Sequence, residues 1–324
     1  MPKTRSHLLP LLSLMKNRKN KSPISGWLAL DKPLEMTSSQ AVGVLRRLFN
    51  PQKIGHGGTL DPLASGILPI AFGEATKTVP FLMDATKDYA FSITWGAETT
   101  TDDKEGEQTL ISAFRPDAES IRMHLASFRG RIMQVPPKFS AIKLDGKRAY
   151  DLARQNQEVE LKSRPVDIHS FELIHHDGDV SHFHATTGKG AYIRALGRDL
   201  ARAMGGAAHI SALRRLRVGP FDENKAISLD FLKDIAHSAA LMKSLLPLES
   251  ALDDIPGLIL SENEAERLQH GQQIDVPKAS EDQIILGMFG DIPVALIQAS
   301  HGKGQPIRVF NLFQHETDPD TGDG

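Results

Sequence analysis

The twelve residues from Gly55 to Gly66, GHGGTLDPLASG, set one carboxylate, Asp61, behind His-Gly-Gly-Thr and directly before Pro62. Four glycines in twelve positions cost backbone entropy that a purely structural loop rarely needs. Glycine permits close backbone approach, and proline fixes the chain just after the acid. The stretch is built to present Asp61. By residue type alone, an aspartate in such a loop reads first as a turn residue. What it could do depends on the groups the rest of the chain brings to it.

Other reactive constellations are weak. TGKGAY lacks the spacing and the Ser/Thr of a phosphate-binding P-loop, no G-x-G-x-x-G follows a strand, and no H-E-x-x-H occurs. His175, His176, His182 and His184 lie on a hairpin whose turn at Gly178 and Asp179 sets His175 opposite His182. Two histidines do not complete a divalent-metal site, so these read as exposed hairpin residues. Cysteine is absent, which excludes disulfides, thiolate catalysis and Cys-ligated zinc.

The elements that must position Asp61 are legible from periodicity. SGWLALDKP reads as a strand, and TSSQAVGVLRRLF as a helix capped by Ser38 or Ser39, with Ala41, Leu45, Leu48 and Phe49 inward and Arg46 and Arg47 outward. GILPIAFG reads as a buried strand. KDYAFSITWG alternates, with Tyr89, Phe91, Ile93 and Trp95 on one face. TTTDDKEGE reads as a loop, and DAESIRMHLASF as a helix with Ile121, Leu125 and Phe128 inward. GKG then opens a helix carrying Ile193, Leu196, Leu200 and Met204 at helical spacing. Strands and helices without regular alternation give an α+β class with a mixed, largely antiparallel central sheet flanked by helices. From Pro247 onward, short strands and one helical stretch, SENEAERLQHG, suggest a small, mostly β module.

Composition sets the outer limits. The 324 residues suit about two domains. No run of about 18 apolar residues occurs, which argues against a membrane span. With 38 Lys plus Arg against 40 Asp plus Glu, the chain is not a uniformly basic nucleic-acid binder, though a local basic face is compatible. Residues 1–25 carry six basic residues and no acid, and ETDPDTGDG at the end carries four acids and no base; both read as flexible tails. LLPLLSLM, broken by Pro10, is a poor secretory core, and a transit peptide is usually richer in Ser and Arg.

Six motifs in order, GWLALDKPLEMTS, GHGGTLDPLASGILPIAFGEATK, KDYAFSITWG, VPPKFSAIKLDGKRAYDLAR, GKGAYIRALGRDLA and LRRLRVGPF, resemble the TruB family of tRNA pseudouridine-55 synthases. The resemblance runs from about Gly26 to Phe221 and continues less distinctly beyond. It implies the pseudouridine synthase fold over residues 26–246, with an RNA-clamping insertion at 134–160. It further implies a PUA-like RNA-binding module at 247–314; the basic extension at 1–25 and the acidic tail at 315–324 lie outside the resemblance. It implies isomerisation of uridine in the T-loop of tRNA with no metal or organic cofactor; a cytoplasmic monomer with no obligate protein partner is the accompanying expectation.

Residue by residue, Asp61 matches the family's catalytic aspartate, Tyr89 the tyrosine that packs on the target uracil and is a candidate proton-transfer group, and Arg194 the arginine paired with the aspartate. His56 matches a histidine that helps hold the opened loop, and Leu213 a leucine close to the bound base. Tyr192 and Lys32 join the substrate-binding set, Lys32 belonging with Pro33 to a motif that supports the site. Glu35 stands where that motif usually has glycine. Two bland readings compete: Tyr89 shares a face with core residues, and Arg194, Arg198 and Arg202 share a helix face as exposed arginines would.

The reaction is redox-neutral. It needs a positioned carboxylate, a guanidinium to fix its rotamer, and an aromatic to stack on a base taken from its neighbours. Phosphate contacts are expected from Arg46, Arg47, Lys138, Lys143, Lys147, Arg148, Lys189, Arg214, Arg215 and Arg217. The rival readings are a guide-dependent synthase of the dyskerin type, a non-catalytic RNA-binding or RNA-folding protein, and a metal-dependent phosphohydrolase. The last lacks a carboxylate cluster at ligand spacing.

Overall fold

The computed structural model describes residues 21–140, 143–144, 147–148 and 161–312. Its strands up to residue 228 are β1 (Gly26–Lys32), β2 (Ile54–His56), β3 (Ala64–Phe72), β4 (Lys87–Trp95), β5 (Ala97–Thr99), β6 (Gln108–Ile111) and β7 (Gly130–Gln134). They continue with β8 (Lys143–Leu144), β9 (Lys147–Arg148), β10 (Arg164–His176), β11 (Val180–Thr187), β12 (Ala208–Val218), β13 (Phe221–Asp222) and β14 (Ile227–Ser228). The central sheet runs β14-β1-β3-β12-β4-β11-β10-β7, with β2 added on β3 and β13 on β12. Only β1–β14 and β3–β12 pair in parallel; the other pairs are antiparallel. The mixed, largely antiparallel α+β architecture is as the sequence pattern requires.

β4 alternates between buried and half-buried residues along its length, and its Phe91, Ile93 and Trp95 enter the core. That core lies under helices α3 (Ala118–Leu125) and α4 (Ile193–Ala203), which contribute Ile121, Leu125, Ile193, Leu196 and Leu200. A second core on β1 and β3 is closed by helix α1 (Ser38–Phe49), whose Ala41, Leu45 and Phe49 are buried while Arg46 and Arg47 stay exposed. Leu213 packs against both cores and sits in register with Ala64 on one side and Phe91 on the other. The seam between the two cores is therefore where β12 runs between β3 and β4. Asp61 lies at the entrance to β3, beside that seam.

The cap of α1 differs from the sequence expectation. Thr37, not Ser38 or Ser39, is the N-cap, in a reciprocal box with Gln40. Ser38 is buried and serves the glycine loop, as described below. The hairpin histidines follow the expected register: His175 pairs with His182, and their rings stack at 5.8 Å.

The C-terminal sheet comprises β15 (Gly257–Ile259), β16 (Ile274–Asp275), β17 (Ile284–Phe289), β18 (Ile292–Ser300) and β19 (Lys303–Val309) in the order β15-β17-β18-β19-β16. The helix Glu262–Gln269, with a Ser261–Glu264 capping box, packs on it. A shared apolar cluster joins this module to the central sheet: Leu286, Leu296 and Phe310 meet Trp27, Ile67, Val218 and Phe221. Lys77 Nζ donates to Val309 O at 2.7 Å and the Asn311 amide donates to Glu74, so the seam is pinned by polar contacts as well. The clamp expected at 134–160 lies mostly outside the described residues. Lys143–Leu144 and Lys147–Arg148 pair as two short antiparallel strands.

Candidate active site

The loop between β2 and β3 is gripped at successive peptide groups. Arg215, buried on β12, donates from Nη2 to Gly58 O and from Nη1 to Thr59 O at 3.2 Å, and from Nε to Ile67 O at 2.8 Å. Ser38 Oγ donates to Leu60 O and accepts from Leu60 N, both at 2.9 Å. The Glu35 amide donates to Pro62 O at 2.8 Å. Gly66 permits the grip. It sits at φ +100°, and a Cβ there would lie 2.2 Å from the Arg215 carbonyl oxygen. The backbone on either side of Asp61 is thus fixed by β12, by α1 and by the turn after β1.

Glu35 itself adopts φ 61°, the left-handed region that glycine enters without strain. That accounts for the usual glycine at this position. The Glu35 side chain is exposed, so the departure is a local backbone cost and does not reach the site.

Lys32 is not open to a ligand. It has 0% exposure and donates to Pro33 O at 2.8 Å, Met36 O at 2.6 Å and Pro62 O at 3.5 Å. Its ammonium ties the turn after β1 to the Asp61 loop, and with 0% exposure it supports that loop from beneath. Burial, partly offset by Asp61 and reinforced by Arg215, lowers its pKa to about 8. Burial likewise lowers Lys87, with Arg215 adding to the effect, to about 8. Both folded values lie below the free value of 10.5, so the unfolded chain binds more protons between about pH 8 and 10.5. Through these two groups the fold gains stability over that window. We therefore expect no fall in melting temperature through these two groups as the pH rises from about 8 to 10, which Tm profiles measured between pH 7 and 10 check.

Arg194 occupies the first turn of α4 and is 5% exposed. Its Nη1 donates to Thr101 O and its Nη2 to Phe139 O, each at 2.9 Å, with Asp103 Oδ2 at 3.6 Å from Nη1. Nε lies 2.9 Å from Asp61 Oδ2. The Nε–H is not aligned for a hydrogen bond along that line, so the contact is an ion pair. The Asp61 side chain retains 35% exposure. One partner is rigid and buried, and the other is held yet accessible.

The exposed-arginine reading of the α4 face does not hold for Arg194 or Arg198. Arg198, 7% exposed, meets Asp102 Oδ2 at 2.8 Å and Val135 O at 2.8 Å. Arg202 takes both oxygens of Glu98 at 2.6 Å. The acids of Glu98 to Asp103 thus answer three arginines spaced four residues apart, and the segment read only as a loop is what locks Arg194. The matching signal was the run of acids itself, which in isolation reads as solvated charge.

Asp61, Tyr89, Tyr192, Arg194, Leu213 and Arg215 line one cavity of about 270 Å³. Tyr89 is nearly buried; burial pushes its phenol pKa up, against the opposing pull of the nearby Arg215 charge. The hydroxyl therefore holds its proton at neutral pH and is a donor. Tyr192 N-caps α4, with its amide and carbonyl bonded to Gln134, and its ring faces Arg164 at 5.3 Å. His56 is on β2, in register with Ile70. Lys138 is exposed, and the Lys143, Lys147 and Arg148 side chains lie outside the described residues.

Three of the arginines expected to hold phosphate are committed internally. Arg214 grips Asp31 with both nitrogens at 3.0 Å and also bonds Glu223, Arg217 grips Asp88, and Arg215 is the loop anchor. Lys189 and the α1 pair Arg46 and Arg47 are exposed. Among the described residues no group of three or more His, Asp or Glu could hold a metal ion.

Residues 46–193 match the family model for the N-terminal domain of TruB family pseudouridylate synthases, and residues 194–253 match the C-terminal domain of tRNA pseudouridylate synthase B. The chain belongs to the TruB family. It is 50% identical over 310 residues to tRNA pseudouridine synthase B of Caulobacter vibrioides, covering 92% of this chain and all of that one. Identity to the protein of the same name from Nitrobacter winogradskyi is also 50%, covering 91% of this chain and 85% of the relative. Among solved structures, a Cbf5-Nop10-Gar1 complex aligns at TM-score 0.67 and 28% identity, covering 88% of this chain and 83% of that one. An H/ACA RNP bound to a substrate RNA containing 2′-deoxyuridine aligns at 0.68 and 26%, covering 90% and 86%.

Proposed function

We propose that this TruB-family isomerase converts uridine 55 in the T-loop of tRNA to pseudouridine, acting as a cytoplasmic monomer without a guide RNA or obligate protein partner. Formation of pseudouridine in tRNA is the activity named for relatives about half identical over nine-tenths of the chain. The observation that carries the mechanistic reading is the Asp61–Arg194 ion pair at 2.9 Å in a cavity also lined by Tyr89 and Leu213.

The isomerisation breaks the bond from N1 to the ribose, turns the uracil, and rejoins it through C5. The proton leaving C5 is balanced by one gained at N1. A base inside folded RNA is out of reach of a recessed carboxylate, so the nucleotide must be extruded at a cost of a few kcal/mol. Asp61, paired with and rotationally held by Arg194, serves either as nucleophile or as base in the first step. The ring of Tyr89 supplies the stacking surface that the extruded uracil loses, and its protonated hydroxyl can donate to a nitrogen or oxygen of the base. Leu213 closes the apolar side of the cavity. His56 and Tyr192 complete the substrate-binding set, with Lys138, Lys143, Lys147 and Arg148 as phosphate contacts on the clamp. The C-terminal β module adds RNA-binding surface.

Purified chain incubated with a T-arm stem-loop and no guide RNA should form one pseudouridine, at the position equivalent to 55. Turnover dependent on an added guide would favour the dyskerin-type alternative; RNA binding without any product would leave only the RNA-folding reading.

A further inference from the structure

We propose that Lys87 binds a phosphodiester flanking the extruded nucleotide, making one corner of the catalytic cavity an anion site. The inference rests on the uridine-isomerase reading of the same cavity and adds a ligand contact to it.

Lys87 opens β4, two residues before Tyr89 on the same strand face, and lines the cavity with Asp61 and Arg215. It is 8% exposed. Its Nζ donates to Met83 O at 2.6 Å and Ala85 O at 2.5 Å, at the C-terminal end of the short helix α2 (Val79–Asp84). An ammonium has three donors. The two carbonyls take two, and the third remains for whatever enters the cavity.

Charge narrows the choice of ligand. The cavity lining carries Lys87, Arg194 and Arg215 against the carboxylate of Asp61, with Asp103 behind the wall 3.6 Å from Arg194, which leaves one positive charge in excess. Uracil is neutral and does not offset this excess, whereas each RNA linkage brings one negative charge. Capping a six-residue helix does not account for the burial either, because a surface lysine would meet the same carbonyls at lower desolvation cost. Lys189 is exposed, stands 3.0 Å from Asp84 and does not line the cavity.

The test pairs Lys87→Met with stem-loops in which the linkage 5′ or 3′ of the target uridine is a neutral methylphosphonate. Wild-type enzyme should lose about tenfold in KM on one of the two neutral RNAs, the worth of one charge-assisted hydrogen bond. Lys87→Met should lose a similar factor on native RNA, with kcat at saturation kept within a few fold, and should be insensitive to that neutral linkage. Lys87→Gln, which retains a donor for the two carbonyls, serves if the methionine variant is unstable, and must show the same insensitivity. Losses that multiply at both linkages, or wild-type indifference to both, overturn the proposal. Filter-binding Kd values on the same RNAs read the coupling without turnover, so failure of wild type to form pseudouridine would count against the isomerase reading alone.

Discussion

Asp61→Asn is expected to abolish pseudouridine formation on a T-arm stem-loop while leaving RNA affinity within a few fold. The amide is isosteric, so the grips of Arg215, Ser38 and Glu35 on the loop backbone persist. What disappears is the negative charge 2.9 Å from Arg194 Nε and the ability to attack or take a proton. Loss of a positioned acid-base group alone costs up to about 10⁴-fold, and loss of a nucleophile costs more. Single-turnover assays with excess enzyme, alongside filter binding, separate the two effects. Full turnover by the variant would refute the mechanism, and a collapse of affinity would mean that Asp61 serves RNA binding instead.

Arg194→Lys carries the second large effect, and it tests positioning rather than chemistry. Lysine keeps the charge but cannot reach Thr101 O, Phe139 O and Asp61 together from one rigid fork. Displacing a catalytic group by about 1 Å costs on the order of 100-fold, so kcat should fall by at least that much with KM little changed. The buried site also loses hydrogen bonds that one ammonium cannot replace. Stability should therefore fall by about 1–3 kcal/mol, the cost of leaving a buried polar group without its partner. Denaturant titration and steady-state kinetics on the same preparation check both parts. A variant with normal kcat would remove Arg194 from the account.

How much of this was legible in the sequence differs from element to element. β4 announced itself by alternation, and α4 by Ile193, Leu196 and Leu200 at helical spacing, because burial against one core imposes those periods directly. The Asp61–Arg194 pair was legible only through the motifs, since no local pattern couples residues so far apart in the chain. For the same reason Arg214, Arg215 and Arg217 looked like a phosphate-binding run, although their partners are Asp31, a set of loop carbonyls and Asp88. Serine beside a helix start usually caps it, which points to Ser38 or Ser39; Thr37 does that work instead and frees Ser38 to hold Leu60. Glu98, Asp102 and Asp103 gave no local sign of burial. Their arginines sit one turn apart on α4, a pairing visible only once the helix lies against the segment.

The most direct measurement is the structure of Asp61→Asn bound to a T-arm stem-loop. The account predicts the target uracil out of its stack, its face against the Tyr89 ring, its glycosidic carbon within van der Waals reach of residue 61, and Arg194 still on the Thr101 and Phe139 carbonyls. A stem-loop bound with that uridine still stacked among its neighbours, or seated away from the Asp61 cavity, would contradict it.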